Sequence, residues 1–266
     1  MGDLGHNGSA NALVPARRRE LIADRLREKG SVSVAELESE FGVSSMTARR
    51  DLHALERDGV ARRTHGGAVV PSVSRDEDSF ASRLEQAEES KQRLAVAACD
   101  QVADGEAVFV DSSTTAYFAV RELLQAGRRA TLLTNSVPVM DLVARSDSQV
   151  GLIGLSGSLR RLTCSFVGPQ AVAATRGHFA DKLLFSVTGV TSDDVLTDAD
   201  PLEAEIKRAM LEHARCAVLL ADGSKFGRSA LSAIAPLSDV GTVILADASR
   251  TTVRTITRAG ADLVEV

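Results

Sequence analysis

Residues 43–55 read "VSSMTARRDLHAL", and their spacing decides how the N-terminal part of the chain folds. On a wheel of about 100° per residue, Ala48, Leu52 and Leu55 share one narrow stripe. Met46, Arg50, His53 and Arg57 fall opposite that stripe, with Arg49 on one flank and Thr47 on the other. The spacing predicts a helix with one buried face and one basic, hydroxyl-bearing face. Ser44 is a good N-cap for it, and Gly42 with Val43 makes a turn just before. A solvated helix face would carry similar residues, so the neighbouring elements have to decide between the two readings.

Upstream, Leu21, Ile22 and Leu26 recur at helical spacing over residues 17–29, with Gly30 where a C-terminal cap is expected. "SVSVAELESEFG" follows: a short extended step, then a capping box in which Ser33 precedes Glu36 by three, then Gly42 closing a second helix. Downstream, Gly59, Gly66 and Gly67 punctuate "DGVARRTHGGAVV", the pattern of a hairpin. Three helices, a tight turn before the third and a terminal hairpin make a winged helix-turn-helix over residues 15–70. In such a module the third helix enters the major groove of double-stranded DNA.

The net charge of −5 does not by itself point to nucleic acid, but the charge is unevenly placed. Residues 15–72 hold 11 Lys and Arg against 9 Asp and Glu, whereas residues 73–266 hold 20 against 26. The basic excess therefore surrounds the quoted helix. Aromatic residues make up only 3%, with no Trp, which argues against gripping single strands by base stacking. Cys99, Cys164 and Cys216 are far apart and odd in number, as expected of reduced thiols in a cytoplasmic protein, each a small core residue. Residues 1–14 read as a flexible tail without a signal-peptide pattern, and His6 stands where a myristoylation signal needs Ser or Thr. No apolar run approaches the roughly 20 residues needed to span a bilayer.

Residues 71–90 are polar and charge-dense and read as a linker feeding a helix. From residue 91 to 266, helical patterns alternate with the apolar runs "AVFVD", "ATLLTN", "VGLIGL", "KLLFSVTGV", "CAVLLAD", "TVILAD" and "DLVEV". This alternation predicts an α/β domain with a mostly parallel sheet. Ligand sites in such sheets lie beyond the carboxyl ends of the strands. Asp111, Ser112, Ser113, Thr114 and Thr115 follow one strand and open a helix, which suits either an anion site or a simple helix cap. Thr134, Asn135 and Ser136 repeat the pattern, Gly157 lies in the turn "LSGSL", and Lys225 in "ADGSKFG" is either a surface charge or a phosphate partner.

Enzyme signatures are missing: the sequence holds no phosphate-binding GxxxxGK[ST], no dinucleotide GxGxxG, no GxSxG elbow and no HExxH. The five histidines are dispersed, so neither a metal site nor a cofactor is expected, and Glu203 and Glu205 read as solvated helix charges.

The run "VAELESEFGVSSMTARRDLHALERDGVARRTHGGAV" resembles the N-terminal signature of the DeoR/GlpR family of transcriptional repressors, with VS-x-x-T-x-RRDL followed by R-x-HGGA. "SKQRLAVAACDQVADGEAVFVDSSTT", "LLTNS", "FVGPQA", "EIKRAM" and "LLADGSKFG" are similar to that family's sensing domain. The resemblance implies a domain related in fold to ribose-phosphate isomerases, glucosamine-phosphate deaminases and CoA transferases, sensing phosphorylated sugars without turning them over. It places the effector at residues 111–115 and 134–136 with Lys225. Two positions depart from the family pattern: Ser113 replaces the Gly of D-S-G-T-T, and "LSGSL" lacks the paired glycines. The function expected is a homo-oligomeric repressor, dimeric or tetrameric, of a carbohydrate operon. Thr47, Arg49, Arg50 and His53 would contact bases or phosphates, Ser45 a phosphate, and Arg62, Arg63 and His65 the backbone from the wing. The alternative is a sugar-phosphate isomerase or deaminase carrying an appended helix-turn-helix.

Overall fold

A computed structural model describes residues 14–29, 31–57, 61–64, 66–69 and 78–266. The chain divides into two units, Met1–Asp76 and Glu77–Val266.

In the first unit, α1 (Pro15–Lys29), β1 (Ser31–Ser33), α2 (Val34–Phe41) and α3 (Ser45–Arg57) precede the wing strands β2 (Arg62–Thr64) and β3 (Gly67–Val69). The expected hairpin gains a third strand, because β1 pairs antiparallel with β3 in the order β1-β3-β2. The capping box forms: Glu36 N donates to Ser33 Oγ at 3.1 Å and Ser33 N to Glu36 Oε2 at 2.7 Å. Gly42 closes α2 at φ 61°, a conformation that favours glycine. Gly67 is demanded by packing, since a Cβ there would lie 2.0 Å from the Val32 carbonyl oxygen. Ile22, Leu26, Leu37, Ala48, Leu52 and Leu55 form the core, so the stripe read from the wheel is the buried face of α3. Asp51 is also buried there, in an ion pair with Arg18 Nε at 2.6 Å that joins α1 to α3. The residues expected to form the tail, apart from Val14, lie outside the described residues, as do Gly30, Gly59 and His65.

The second unit begins with α4 (Phe80–Glu85) and α5 (Glu88–Asp100). Residues 78–90, read as linker, are thus mostly helical, and residues 71–77 lie outside the described residues. Tertiary partners that the local sequence does not reveal order this stretch. Phe80 is buried with its ring edge-on to Tyr117, its amide donates to the Leu162 carbonyl at 2.8 Å, and Ser79 caps α4.

Next come β4 (Ala107–Val110), α6 (Thr114–Gln125), β5 (Thr131–Thr134), α7 (Val137–Ala144), β6 (Gly151–Gly154), the hairpin β7 (Ser158–Arg160) and β8 (Ser165–Val167), and α8 (Pro169–Arg176). Then follow β9 (Ala180–Phe185), β10 (Gly189–Val190), β11 (Val195–Asp198), α9 (Pro201–His213), β12 (Ala214–Asp222), β13 (Ser232–Pro236), β14 (Thr242–Ala246), α10 (Arg250–Ala259) and β15 (Asp262–Glu265). Seven strands form one wholly parallel sheet in the order β15-β14-β12-β9-β4-β5-β6, and they are the seven apolar runs of the sequence. Burial on both faces explains why most of those runs are continuously apolar. Phe109, Leu219 and Val243 pack toward residues of α8, α9 and α10, while Val108, Leu220 and Ile244 pack toward α5, α6 and α7. A separate antiparallel sheet, β10-β11-β13, completes the unit. Of the three free thiols only Cys99 is buried; Cys164 and Cys216 are half-exposed, the former in a turn at φ 51°.

Candidate nucleic-acid interface and ligand site

Helix α3 presents Ser45, Met46, Arg49, Arg50 and His53 to solvent, with Thr47 half-exposed. Ser44 Oγ accepts from Thr47 N at 3.3 Å and bonds the Thr47 hydroxyl at 3.0 Å, which fixes the helix start as the cap reading requires. A groove of about 600 Å³ between α1 and α3 is lined by Arg18, Arg19, Thr47, Arg49, Arg50 and His53. Met46, 70% exposed on this face, is a large apolar side chain left mostly in solvent at the groove's edge. Arg62 and Arg63 fall on β2 of the wing.

In the second unit, parallel pairing of β4 with β5 brings residues 111–115 and 134–136 to neighbouring strand ends. Ser113 caps the helix: Oγ accepts from Ala116 N at 3.1 Å and donates to Asp111 Oδ1. Its φ of −73° suits any residue, so the absence of the family's glycine introduces no strain. Asp111 is spent on the fold. Oδ1 also accepts from Ser113 N at 3.1 Å, and Oδ2 accepts from Ser186 N at 3.2 Å and pairs with Lys207 Nζ at 3.0 Å. With Ser113 N and Ala116 N satisfied, the first-turn amides of Thr114 and Thr115 find no acceptor among the described residues. These two N–H groups at the positive end of a twelve-residue helix can take an anion.

At the end of β5, Thr134 Oγ1 accepts from Ser136 N at 3.0 Å and Ser136 caps α7. Val137 N donates to the Cys164 carbonyl, so this helix start is already satisfied. Asn135 differs: Nδ2 donates to the Phe166 carbonyl at 2.9 Å, but Oδ1 is buried without a partner among the described residues, an acceptor available to a ligand hydroxyl. Gly157 has a packing explanation, since a Cβ would stand 2.7 Å from the Val167 carbonyl and 2.8 Å from Ala171 Cβ.

Beneath these loops lies a polar network that the sequence did not announce. Glu203, read as solvated, is 3% exposed on the inner face of α9. Oε2 accepts from Ser112 at 2.8 Å, and Oε1 accepts from Thr163 at 2.8 Å and from Ser165. Burial raises its pKa, only partly opposed by the Ser165 hydrogen bond and the charge of Lys207. Lys207, one turn further on, donates to Asp198 Oδ2 at 2.7 Å and to the Ser186 carbonyl at 2.7 Å, besides Asp111. Burial acts to lower its pKa, but Asp198 and Asp111 more than offset this and hold it above the usual lysine value. Glu203 at i and Lys207 at i+4 share one helix face, a spacing that is the one local signal for the pair.

Lys225 lies half-buried in the turn after β12 and makes no ion pair among the described residues. Its neighbour Asp222 is occupied by Ser224, whose amide donates at 2.9 Å and whose hydroxyl donates to the same oxygen. Burial lowers the Lys225 pKa; Asp222 works against this, and Arg228, Arg83 and Lys207 add to it. Lys91 is lowered to about 8, first by burial and then by Lys225 and Arg83. Its ammonium donates to the carbonyls of Arg83, Leu84 and Gln86, closing the end of α4. Arg83 itself was hidden in the charge-dense passage read as linker. Among the described residues, no group of His, Cys, Asp and Glu could hold a metal ion, and no helix is long and apolar enough to cross a membrane.

Comparison with known proteins agrees with both units. Residues 18–74 match the DeoR-like helix-turn-helix domain, and residues 86–247 match the DeoR C-terminal sensor domain. The transcriptional repressor AccR of Agrobacterium fabrum is 31% identical over 90% of this chain and 92% of its own length. The glycerol-3-phosphate regulon repressor of Escherichia coli is 32% identical over 85% and 89%. Among solved structures, ribose 5-phosphate isomerase A of Methanocaldococcus jannaschii aligns over 52% of this chain and 54% of its own at 17% identity, with a TM-score of 0.39. A DNA-reading winged helix, a parallel α/β sensor and matches to both halves of one family lead to the same place: the chain belongs to the DeoR family of transcriptional regulators.

Proposed function

We propose that the chain is a homo-oligomeric repressor of a carbohydrate operon whose hold on double-stranded operator DNA is set by a phosphorylated sugar or a closely related metabolite. Helix α3 reads the major groove through Arg49, Arg50, His53 and Thr47, Ser45 touches a phosphate, and the wing residues Arg62, Arg63 and His65 hold the backbone. The second unit binds the effector at the carboxyl ends of β4, β5 and β12. The observation that carries this reading is that groups at these strand ends have no partner among the described residues: the amides of Thr114 and Thr115, the buried Asn135 Oδ1, and Lys225, which makes no ion pair there. Amides and ammonium suit a phosphate, and an acceptor suits a sugar hydroxyl. The similarity to the glycerol-3-phosphate regulon repressor of Escherichia coli supports an effector of this chemistry.

The rival enzyme reading needs a free acid–base pair. Glu203 and Lys207 are the best candidates for one, yet both are saturated by protein partners. A thermal-shift panel of glycerol 3-phosphate, ribose 5-phosphate, fructose 1-phosphate and glucosamine 6-phosphate, each beside its unphosphorylated parent, tests the proposal. At about 100 times its dissociation constant a ligand adds about 2.7 kcal/mol, or roughly 5–10 °C for a unit of this size. A shift with one phosphorylated compound and none with its parent is expected. No shift with any phosphorylated compound refutes the effector assignment, and steady turnover of a stabilising compound would establish the enzyme instead.

A further inference from the structure

Met46 is out of character with its surroundings. On α3 it stands at i, with Arg49 at i+3, Arg50 at i+4 and His53 at i+7, so it heads the exposed stripe opposite Ala48, Leu52 and Leu55. The rest of that stripe is basic or polar. The carboxylate in the adjoining groove, Asp51, is buried and paired with Arg18 at 2.6 Å, so the groove turns positive charge outward. Met46, at 70% exposure, is not part of the core of its own unit.

A single exposed apolar side chain is ordinary on a protein surface; the position of this one makes it informative. Met46 lies in the first turn of α3, and that turn is held in place by the bonds of Ser44 to the Thr47 amide at 3.3 Å and to the Thr47 hydroxyl at 3.0 Å. In a helix-turn-helix the N-terminal residues of the reading helix meet the base edges. Arg49, Arg50 and His53 can bond either phosphates or bases, but a thioether has no donor and only a weak acceptor. Of the groups that base pairs present in the major groove, the 5-methyl of thymine is the apolar one. An unbranched, polarizable side chain adapts its shape to such a contact.

We propose that Met46 is a specificity-determining residue that packs on the 5-methyl group of a thymine in the operator's major groove, beside the polar contacts of Arg49 and Arg50. The phosphate contacts set register and affinity, and the methyl contact adds preference for a base. The inference rests on α3 being the reading helix.

The test uses the full chain and a duplex selected from a random library, with each thymine replaced in turn by uracil, which keeps every hydrogen-bonding group and loses only the 5-methyl. Binding is followed by fluorescence anisotropy. Uracil at one position of the selected motif should weaken the wild type about fourfold, the worth of about one methyl group taken out of water. Met46→Ala should bind the thymine duplex more weakly by about the same factor and bind thymine and uracil equally at that position, while Met46→Leu keeps the preference. Because Met46 is mostly in solvent, Met46→Ala should leave the Tm within about 2 °C of the wild type. Indifference of the wild type to uracil at every position, or the same uracil penalty in Met46→Ala, overturns the inference and leaves α3 as the reading helix. No enriched sequence overturns both. A Tm loss beyond about 5 °C in Met46→Ala would make Met46 a packing residue and overturn the assignment as well.

Discussion

Replacing Lys207 with methionine keeps most of the aliphatic stem but removes an ammonium that is 6% exposed and serves three acceptors. Two carboxylates, Asp111 at 1% and Asp198 at 8% exposure, are then left without their cation, and the Ser186 carbonyl loses a donor. Removing one partner of a buried ion pair typically costs about 3–5 kcal/mol, because the surviving charge stays desolvated. At about 2–4 °C per kcal/mol for a unit of this length, Tm should fall by roughly 6–20 °C. The pH dependence gives a second signature. In the wild type the raised pKa of Lys207 means that its contribution is complete below the ordinary lysine value of 10.5 and is lost only at higher pH. In Lys207→Met the orphaned carboxylates hold their protons more tightly, so the deficit should shrink as pH falls from about 7 to 5. Thermal unfolding followed by circular dichroism measures both effects. A Tm change under about 2 °C, or a deficit that is the same at both pH values, would show that the network does not carry buried charge as described.

On the DNA side, Arg50→Ala should weaken operator binding by about 1–3 kcal/mol, roughly 5–150-fold, in a gel-shift titration. If Arg50 contacts a phosphate instead of a base, the slope of log affinity against log salt should fall by about one; an unchanged affinity and slope would displace α3 as the reading helix. Ser113→Gly should cost about 1 kcal/mol of stability, from the lost cap and the lost bond to Asp111, while leaving effector affinity unaltered. A calorimetric loss of affinity would place the hydroxyl on the ligand. Effector affinity should fall as pH rises through about 8, where unliganded Lys91 sheds its proton. An anion beside Lys225, whose charge already lowers Lys91, favours the charged form, so binding above that pH takes up a proton and weakens with each further rise. The unliganded protein should show the opposite trend for this group, gaining stability between about pH 8 and 10.5. A flat binding profile from pH 7 to 9 would exclude Lys91 from the site's field.

Much of this architecture was legible because it is local. The stripe Ala48, Leu52, Leu55, the capping box Ser33 to Glu36 and the seven apolar runs are patterns within a few residues of one another, and each became the element its period predicts. Burial of charge was not legible, because it depends on partners far along the chain. Glu203 is buried by hydroxyls 91, 40 and 38 residues away, and Asp51 by Arg18 at a distance of 33. Read locally, such residues look like a solvated face. Where the helix after the linker begins was not legible either: a passage rich in Asp, Glu and Ser lacks apolar periodicity, and the order of α4 comes from Phe80 meeting Tyr117 and from Lys91 closing its end. The short strands β10, β11 and β13 escaped notice because their pairing joins segments up to about 40 residues apart with little periodicity of their own.

The central claim joins two activities in one chain, and the most direct measurement addresses both at once. The full chain is used to select binding sites from a random duplex DNA library, and the selected duplex is then titrated by fluorescence anisotropy with and without the phosphorylated sugar that stabilises the protein. A single enriched motif is predicted, bound with strong salt dependence, its affinity changed by at least tenfold by the phosphorylated sugar and not by the unphosphorylated parent. No enriched sequence, or an affinity indifferent to every phosphorylated sugar tested, would contradict the account.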